Sequence, residues 1–197
     1  MNLRKNLMNK EKRKMFFNDH KNLNGLHAPF SASKSTWLRY DDERALEVYS
    51  NLKAKEMGTK LHEWAKMTID LGIRQPRSQK TLYAYVNDAI SFRMDTEVVL
   101  FYSVRFFGTA DAISFRNGVL RIHDLKTGKK AVDMDQLMVY AALFCLEYKI
   151  KPGEISMELR IYQNDEVVVH EPTAEDILPI MDKIVHLDRL LEKEEGA

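Results

Sequence analysis

The stretch FGTADAISFRNGVLRIHDLKTGKK, residues 107–130, decides the fold of this chain. Two segments rich in β-branched and aromatic residues flank Asn117-Gly118, the dipeptide best suited to a two-residue hairpin turn, because both central residues of that turn need positive φ. The stretch therefore predicts two antiparallel strands. The first carries Asp111, and the second ends in Asp124-Leu-Lys126.

Asp124 is an unusual residue for the end of a structural strand. Side chains alternate along a strand, so Asp124 follows Leu120 and Ile122 toward the core side of the sheet. A buried carboxylate is costly unless it binds a metal or another cation. Lys126 returns to the same face, which leaves two interpretations open: a half-buried ion pair, which is common at strand ends, or a site built around a metal ion.

The composition is that of a globular protein with one core. The chain has 197 residues, of which 45% are hydrophobic and 30% charged. We predict a single domain over residues 27–197, preceded by a basic arm or helix over residues 1–26. The net charge of +1 does not by itself indicate nucleic-acid binding. The basic residues clustered in positions 1–17 either touch phosphate or belong to a solvated helix.

Several classes of protein are excluded by what the sequence lacks. Its single cysteine, Cys145, cannot form an internal disulfide or hold an iron–sulfur cluster, and the apolar run around it predicts a buried thiol. No glycine-rich Lys-Ser/Thr loop indicates a bound nucleotide. No apolar run of about 18 residues occurs, so we expect a cytoplasmic protein with no membrane contact.

Helices are expected on both sides of the strands. The hydrophobic spacing predicts, in chain order, a helix after Asp41-Asp42 that Gly58 interrupts, a helix Lys60–Leu71 capped by Thr59 and closed by Gly72, a helix Thr81–Phe92, a strand from Glu97, the hairpin, a helix Asp135–Tyr148, a strand Ile155–Gln163, an edge strand Val167–His170 and a final helix after Thr173. This order predicts an α/β (α+β) fold with a mixed central sheet of about four to five strands flanked by helices.

Polar residues stand at the ends of several of these elements. They are His62, Glu97, Asp111, Asp124, Lys126, Gln136 and Tyr140. Carboxylates supply the oxygen ligands that Mg²⁺ or Mn²⁺ prefers, and an imidazole suits Mn²⁺ better than Mg²⁺. Such a site can activate water and neutralise charge at phosphorus, which is metal-assisted phosphodiester hydrolysis. Taken alone, His62 is more often a packing residue at the edge of an apolar helix face.

The order His62, Asp111, Asp124-x-Lys126 and Gln136-x-x-x-Tyr140 resembles the RecB-type branch of the PD-(D/E)XK nuclease superfamily. The resemblance covers residues 27–175. It also includes Ser-Ala-Ser…Trp, Gly-Thr-x-x-His, Gly-Thr-Ala-Asp-Ala-Ile, Asp-Leu-Lys-Thr-Gly-Lys, Gln-Leu-Met-x-Tyr-Ala and the later Ile-Tyr-Gln, which are similar to phage and prophage nucleases of this branch. It implies a restriction-endonuclease-like core.

The resemblance also implies a role for each matching residue. The implied metal ligands for Mg²⁺ or Mn²⁺ are His62, Asp111, Asp124 and the backbone carbonyl of Leu125. The implied catalytic residues are Asp111, Asp124, Lys126, Gln136 and Tyr140. The resemblance implies that Lys126 orients or helps deprotonate the attacking water. It implies that Gln136 and Tyr140 orient the lysine and contact DNA. Glu97 is a candidate ligand of a second metal, an acid that supports the ligands, or a surface acid at a strand end.

The implied function is a divalent-metal-dependent deoxyribonuclease, an exonuclease acting on DNA ends in phage recombination, repair or genome processing. A structure-specific or nicking endonuclease and a catalytically inactive DNA-binding module are the alternatives. The implied partners are double- or single-stranded DNA and a single-strand annealing or binding protein, in the cytoplasm of a bacterial host, with the oligomeric state open. Candidate phosphate contacts are the cluster in residues 1–17, Lys34, Arg105, Lys129, Lys130 and Arg160.

Overall fold

The protein is described by a computed structural model that covers residues 21, 28–128 and 133–195. The helices and strands, in chain order, are α1 (Asp42–Asp70), α2 (Thr81–Ser91), β1 (Asp95–Ser103), β2 (Phe106–Arg116), β3 (Val119–Leu125), α3 (Asp135–Tyr148), β4 (Ser156–Gln163), β5 (Glu166–His170) and α4 (Ala174–Glu195). Short 3₁₀ segments lie at Ala32–Arg39 and Pro152–Glu154.

The five strands form one mixed sheet in the order β1-β2-β3-β4-β5. Neighbouring strands are antiparallel except β3 and β4, which are parallel and are joined through α3. Parallel neighbours need such a crossover because a tight turn cannot connect them. The predicted turn is confirmed, with φ of 52° at Asn117 and 74° at Gly118. The expected α+β fold with helices around a mixed sheet is confirmed as well.

Helices cover both faces of the central strands. One core cluster joins the sheet to α3 and α4 and contains Leu120 and Ile122 of β3. The second joins the sheet to α1 and α2 and contains Leu125. Because β3 is the middle strand, its polar residues are also enclosed: His123 is 0% exposed and Asp124 is 2% exposed. The alternation therefore placed Asp124 correctly on a buried face.

The chain divides into two units between Ser50 and Asn51. In the first unit, the indole of Trp37 donates a hydrogen bond to the carbonyl of Ser31 at 2.9 Å. The second unit contains the whole sheet and every candidate site residue from position 62 to position 140. The predicted basic arm, residues 1–26, lies outside the described residues except for Lys21.

The predicted interruption at Gly58 is wrong, because α1 continues without a break from Asp42 to Asp70. Gly58 is buried, and a Cβ atom built on it would lie 2.6 Å from Thr127 Oγ1. The glycine thus permits a close approach between α1 and the segment after β3. Thr59 does not cap a helix. Its hydroxyl donates to the carbonyl of Lys55 at 3.2 Å, as expected in a helix interior.

Cys145 is 1% exposed, so the prediction of a buried core thiol is confirmed. Burial raises its pKa to about 11, which makes the thiol unreactive at neutral pH. Among the helices that the structure describes, none combines the length and apolar character needed to cross a membrane.

Candidate functional site

Strands β2 and β3 separate next to the two aspartates. Their pairing runs from Arg116–Val119 to Ala112–His123 and ends there. One step further, the backbone N–H of Leu125 donates to Asp111 Oδ2 at 3.1 Å. A side-chain carboxylate therefore takes the place of a backbone acceptor. This bond holds Asp111 beside the end of β3, directly after Asp124.

His62 reaches the same point from α1. Its Nδ1 atom lies 3.4 Å from Asp111 Oδ2, and the two side chains are 31% and 20% exposed. His62 is thus not enclosed in the apolar core. The structure brings together an imidazole and a carboxylate that are separated by 49 positions in the sequence. The role of His62 as a metal ligand, which the resemblance implies, stays a prediction.

A chain of polar contacts leads from Asp124 to α3. Lys126 Nζ donates to Asp124 Oδ1 at 3.1 Å and to Gln136 Oε1 at 2.8 Å. Gln136 Nε2 in turn donates to Tyr140 Oη at 3.0 Å. Gln136 and Tyr140 are four residues apart and share one helical face, as predicted. The ammonium group is therefore held between a buried carboxylate and an amide.

Asp124 keeps an unused acceptor. Its Oδ2 atom is buried and receives no aligned hydrogen bond, although Lys126 Nζ lies only 2.9 Å away. A buried carboxylate is costly without a cation, and here the Lys126 ammonium supplies one while leaving the alignment of Oδ2 open to a second. Asp124 is thus a suitable ligand for a metal ion as well as a partner for the lysine.

The charged form of Asp111 is disfavoured by its surroundings. Burial raises its pKa to about 6, and the negative charge of Asp124 acts in the same direction. His62 and the N–H of Leu125 oppose this rise, while Glu97 adds to it. Repulsion between carboxylates is the usual feature of a site that binds a cation or shares a proton. Asp111 therefore takes up a proton far more readily than an exposed aspartate.

Glu97 lies inside β1, which begins at Asp95, so the prediction that it starts the strand is wrong. The pairs Thr96–Ala112 and Val98–Ala110 flank it, which places Glu97 across from Asp111. Its φ of +53° is in the left-handed region, where glutamate is rare. The side chain is exposed. Glu97 is thus near the aspartates, at an irregular point of the sheet.

Tyr85 belongs to this region and was missed from the sequence. It lies on α2, is 3% exposed, and its ring meets that of Tyr162 edge-on at 5.4 Å. Burial is the main cause of its raised pKa, followed by the charges of Asp111, Asp124 and Glu97. All three carboxylates therefore act on one buried hydroxyl. In the sequence, Tyr85 resembled an ordinary apolar residue of the α2 stripe.

The side chains do not form a ready-made ligand cluster. In the described part of the chain, no group of three or more His, Cys, Asp or Glu is arranged to hold a metal ion. The candidates instead form two pairs, His62 with Asp111 and Lys126 with Asp124. A cavity of about 180 Å³ adjoins Lys126 and the end of β3. A larger apolar cavity, of about 550 Å³, is lined by residues of α3 and α4 and does not include the acids.

The predicted phosphate contacts have mixed outcomes. Arg105 is paired with Asp188 at 3.0 Å and with Glu195 at 2.6 Å. Arg160 is paired with Asp88 at 2.9 Å, so both guanidinium groups already have acidic partners. Lys34 is exposed in the first unit. Lys129, Lys130 and the cluster in residues 1–17 lie outside the described residues.

Comparisons of the chain with family models, with curated proteins and with solved structures found no match. The likeness of the motifs to RecB-type nucleases therefore stays a prediction. The geometry of the site carries the functional proposal.

The absence of a side chain at Gly108 leaves room for the ring of Tyr140. A Cβ atom built on this glycine would lie 2.7 Å from Tyr140 Cε1, closer than side chains approach each other. We expect Gly108→Ala to displace the ring and lower the free energy of unfolding by about 1–3 kcal/mol, the usual cost of overpacking. Urea titration measures this loss, and the exposed neighbour Thr109→Ala is the control.

The clash with Tyr140 can be isolated by a double-mutant cycle. In a Tyr140→Ala background the new methyl group has no ring to meet, so Gly108→Ala should cost much less. An equal loss in both backgrounds would contradict the proposed contact.

Proposed function

We propose that this protein is a divalent-metal-dependent nuclease that hydrolyses phosphodiester bonds of DNA, acting as an exonuclease on DNA ends. The observation that carries the proposal is the bond from the N–H of Leu125 to Asp111, which holds one carboxylate beside Asp124 where β2 and β3 separate. His62 and Lys126 reach the same two carboxylates. This combination supports hydrolysis at phosphorus better than it supports a structural ion pair.

The residues present are chemically suited to Mg²⁺ or Mn²⁺. Asp111 and Asp124 would hold the ion, with His62 and the carbonyl of Leu125 as further donors. The buried Oδ2 of Asp124 receives no aligned hydrogen bond, although Lys126 Nζ lies 2.9 Å away, and the pKa of Asp111 is raised by burial and by Asp124. Both features favour a cation. A bound ion would lower the pKa of a coordinated water and offset charge at the phosphate.

Lys126 has a separate role in this proposal. Its ammonium group lies against Asp124 and is held in place by Gln136, which Tyr140 supports in turn. A fixed ammonium beside the scissile phosphate orients the attacking water and offsets charge in the transition state. The chain of hydrogen bonds positions the lysine, so Gln136 and Tyr140 act partly through it.

A panel of substrates and metals tests the function. We expect nucleotides to be released from linear DNA with Mg²⁺ or Mn²⁺, and none to be released in EDTA. A covalently closed single-stranded circle should stay intact. Cleavage of that circle, which has no ends, would show that the protein is an endonuclease and not an exonuclease. Absence of any cleavage with either metal would instead favour a DNA-binding module.

His62→Ala tests the imidazole. Removal of a group that ligates or orients a metal costs about 10- to 100-fold in activity or metal affinity, so we expect a loss of that size and a shift in the ratio of Mn²⁺- to Mg²⁺-dependent rates. His186→Ala, an exposed histidine on α4, is the matched control. Unchanged Mn²⁺-dependent cleavage would return His62 to a packing role.

A further inference from the structure

Positive charge is concentrated at the end of β3 that lies opposite to the two aspartates. A cavity of about 310 Å³ is lined there by Ser91, Phe92, Arg93, Arg116, Asn117, Val119 and Arg121. Three of these residues carry guanidinium groups, and none of the described lining residues is acidic. We call Arg93, Arg116 and Arg121 the arginine pocket. In a chain with a net charge of +1, this is a strongly cationic site.

Arg121 is held rigidly at the pocket. Its guanidinium lies over the ring of Phe92, with Cζ 4.5 Å from the ring centroid. Its Nε atom donates to Glu158 Oε1 at 3.2 Å. Stacking on an aromatic ring together with one ion pair orients the planar fork of an arginine and reduces the entropy lost on binding.

The local acids do not neutralise the pocket. Glu158 is shared between Arg121 and Arg160, whose Nε lies 3.1 Å from the same carboxylate oxygen. Asp88 is also bonded to Arg160. Arg74 adds one more guanidinium beside the cavity, because its Nη1 donates to the hydroxyl of Ser91, a lining residue, at 3.0 Å. Positive charge is therefore in excess around the cavity.

Capping of α2 explains only part of this cluster. Arg116 Nη2 donates to the carbonyl of Arg93, just beyond the helix, at a long 3.4 Å. The side chain of Arg93 makes no hydrogen bond or ion pair with any residue that the structure describes. Arg93 is exposed and has a φ of +52°. A guanidinium without a partner in the described part of the chain is available to a ligand.

We propose that the arginine pocket binds a phosphate group of a nucleic-acid strand, as an anchoring site separate from the candidate catalytic residues. Guanidinium groups match phosphate oxygens in charge and geometry. The pocket adjoins Val119 and the aspartates adjoin Leu125, so β3 separates them by about 20 Å. That distance corresponds to roughly six base pairs along a duplex. The pocket itself indicates a bound phosphate, and only the choice of a nucleic acid as the molecule that carries this phosphate rests on the proposed function.

The double variant Arg93→Gln/Arg116→Gln tests the pocket, because both residues are exposed and their removal should not unfold the protein. Binding to a fluorescent duplex of about 20 base pairs is followed by anisotropy in EDTA, where metal-dependent cleavage is absent. We expect affinity to fall at least about tenfold and the salt dependence to weaken by about one to two phosphate contacts. Arg77→Gln/Arg189→Gln makes the same charge change at exposed positions outside the pocket.

Equal affinities of the pocket variant and the control variant would overturn the inference. Titration with inorganic phosphate distinguishes the source of the ligand: pocket-dependent binding of phosphate without pocket-dependent binding of duplex would also overturn it. Because binding is measured without cleavage, the outcome is independent of catalysis. A protein that binds DNA through the pocket but cleaves nothing would contradict the proposed nuclease alone.

Discussion

Asp124→Asn is expected to lower metal-dependent cleavage by at least about 10³-fold, the cost of removing one well-placed electrostatic group from an active site. The amide has the same shape but no charge, so it is a poor metal ligand and no longer neutralises Lys126. Lys126 keeps its bond to Gln136, which should preserve the local structure. Nucleotide release from linear DNA with Mg²⁺ and with Mn²⁺ measures the effect.

Two controls keep this result interpretable. Asp95→Asn makes the same change at an exposed position of β1 and should leave the rate unchanged. Circular dichroism and thermal unfolding should show that Asp124→Asn is folded. A variant that kept more than about a tenth of the wild-type rate would remove Asp124 from the catalytic site, since loss of one preorganised electrostatic group costs about 10²- to 10³-fold.

Asp111→Asn is expected to stabilise the metal-free protein at neutral pH by about 3 kcal/mol, because a raised pKa costs about 1.4 kcal/mol per pH unit. The pKa of Asp111 rises from 3.8 to about 6 in the folded protein, mainly through burial. Asp111 therefore contributes stability below pH 3.8, and this contribution is lost as the pH rises through 6. Asparagine stays neutral and can still accept the N–H of Leu125.

Urea unfolding in EDTA, compared between wild type and variant, measures this difference. Mn²⁺ should then stabilise the wild type more than the variant, because only the carboxylate binds the ion strongly. A metal-free variant that is no more stable than the wild type at neutral pH would contradict the proposed strain at Asp111.

The comparison also depends on pH, because Asp111→Asn removes the titration of Asp111 and leaves that of His123. Burial, with help from the charges of Arg160 and Arg121, lowers its pKa from 6.5 to about 3. Its contribution to stability is present above pH 6.5 and is lost as the pH falls toward 3. Between about pH 4 and 6 it opposes Asp111. The variant keeps the His123 contribution but lacks the opposing one of Asp111, so its stability should fall on acidification by up to about 1.4 kcal/mol per pH unit more steeply than that of the wild type.

Local patterns predicted most of the elements. The helix Asp135–Tyr148 has the predicted bounds, and the turn at Asn117-Gly118 has the expected positive φ values. Both depend on neighbouring residues: apolar periodicity in the helix, and backbone freedom in the turn. Gly58 was misjudged for a related reason. A glycine inside a helical pattern resembles a break, whereas here it makes room for Thr127.

The amino-acid sequence by itself determined the strands, most helices, the hairpin and the chemical groups available: two aspartates, a histidine and a lysine near strand and helix ends. Only the tertiary structure decided which of them meet. The separation of β2 and β3 brings Asp111 to the N–H of Leu125, and the same fold collects the arginine pocket from Arg93, Arg116 and Arg121. These contacts join residues distant in the chain, so no local pattern encodes them.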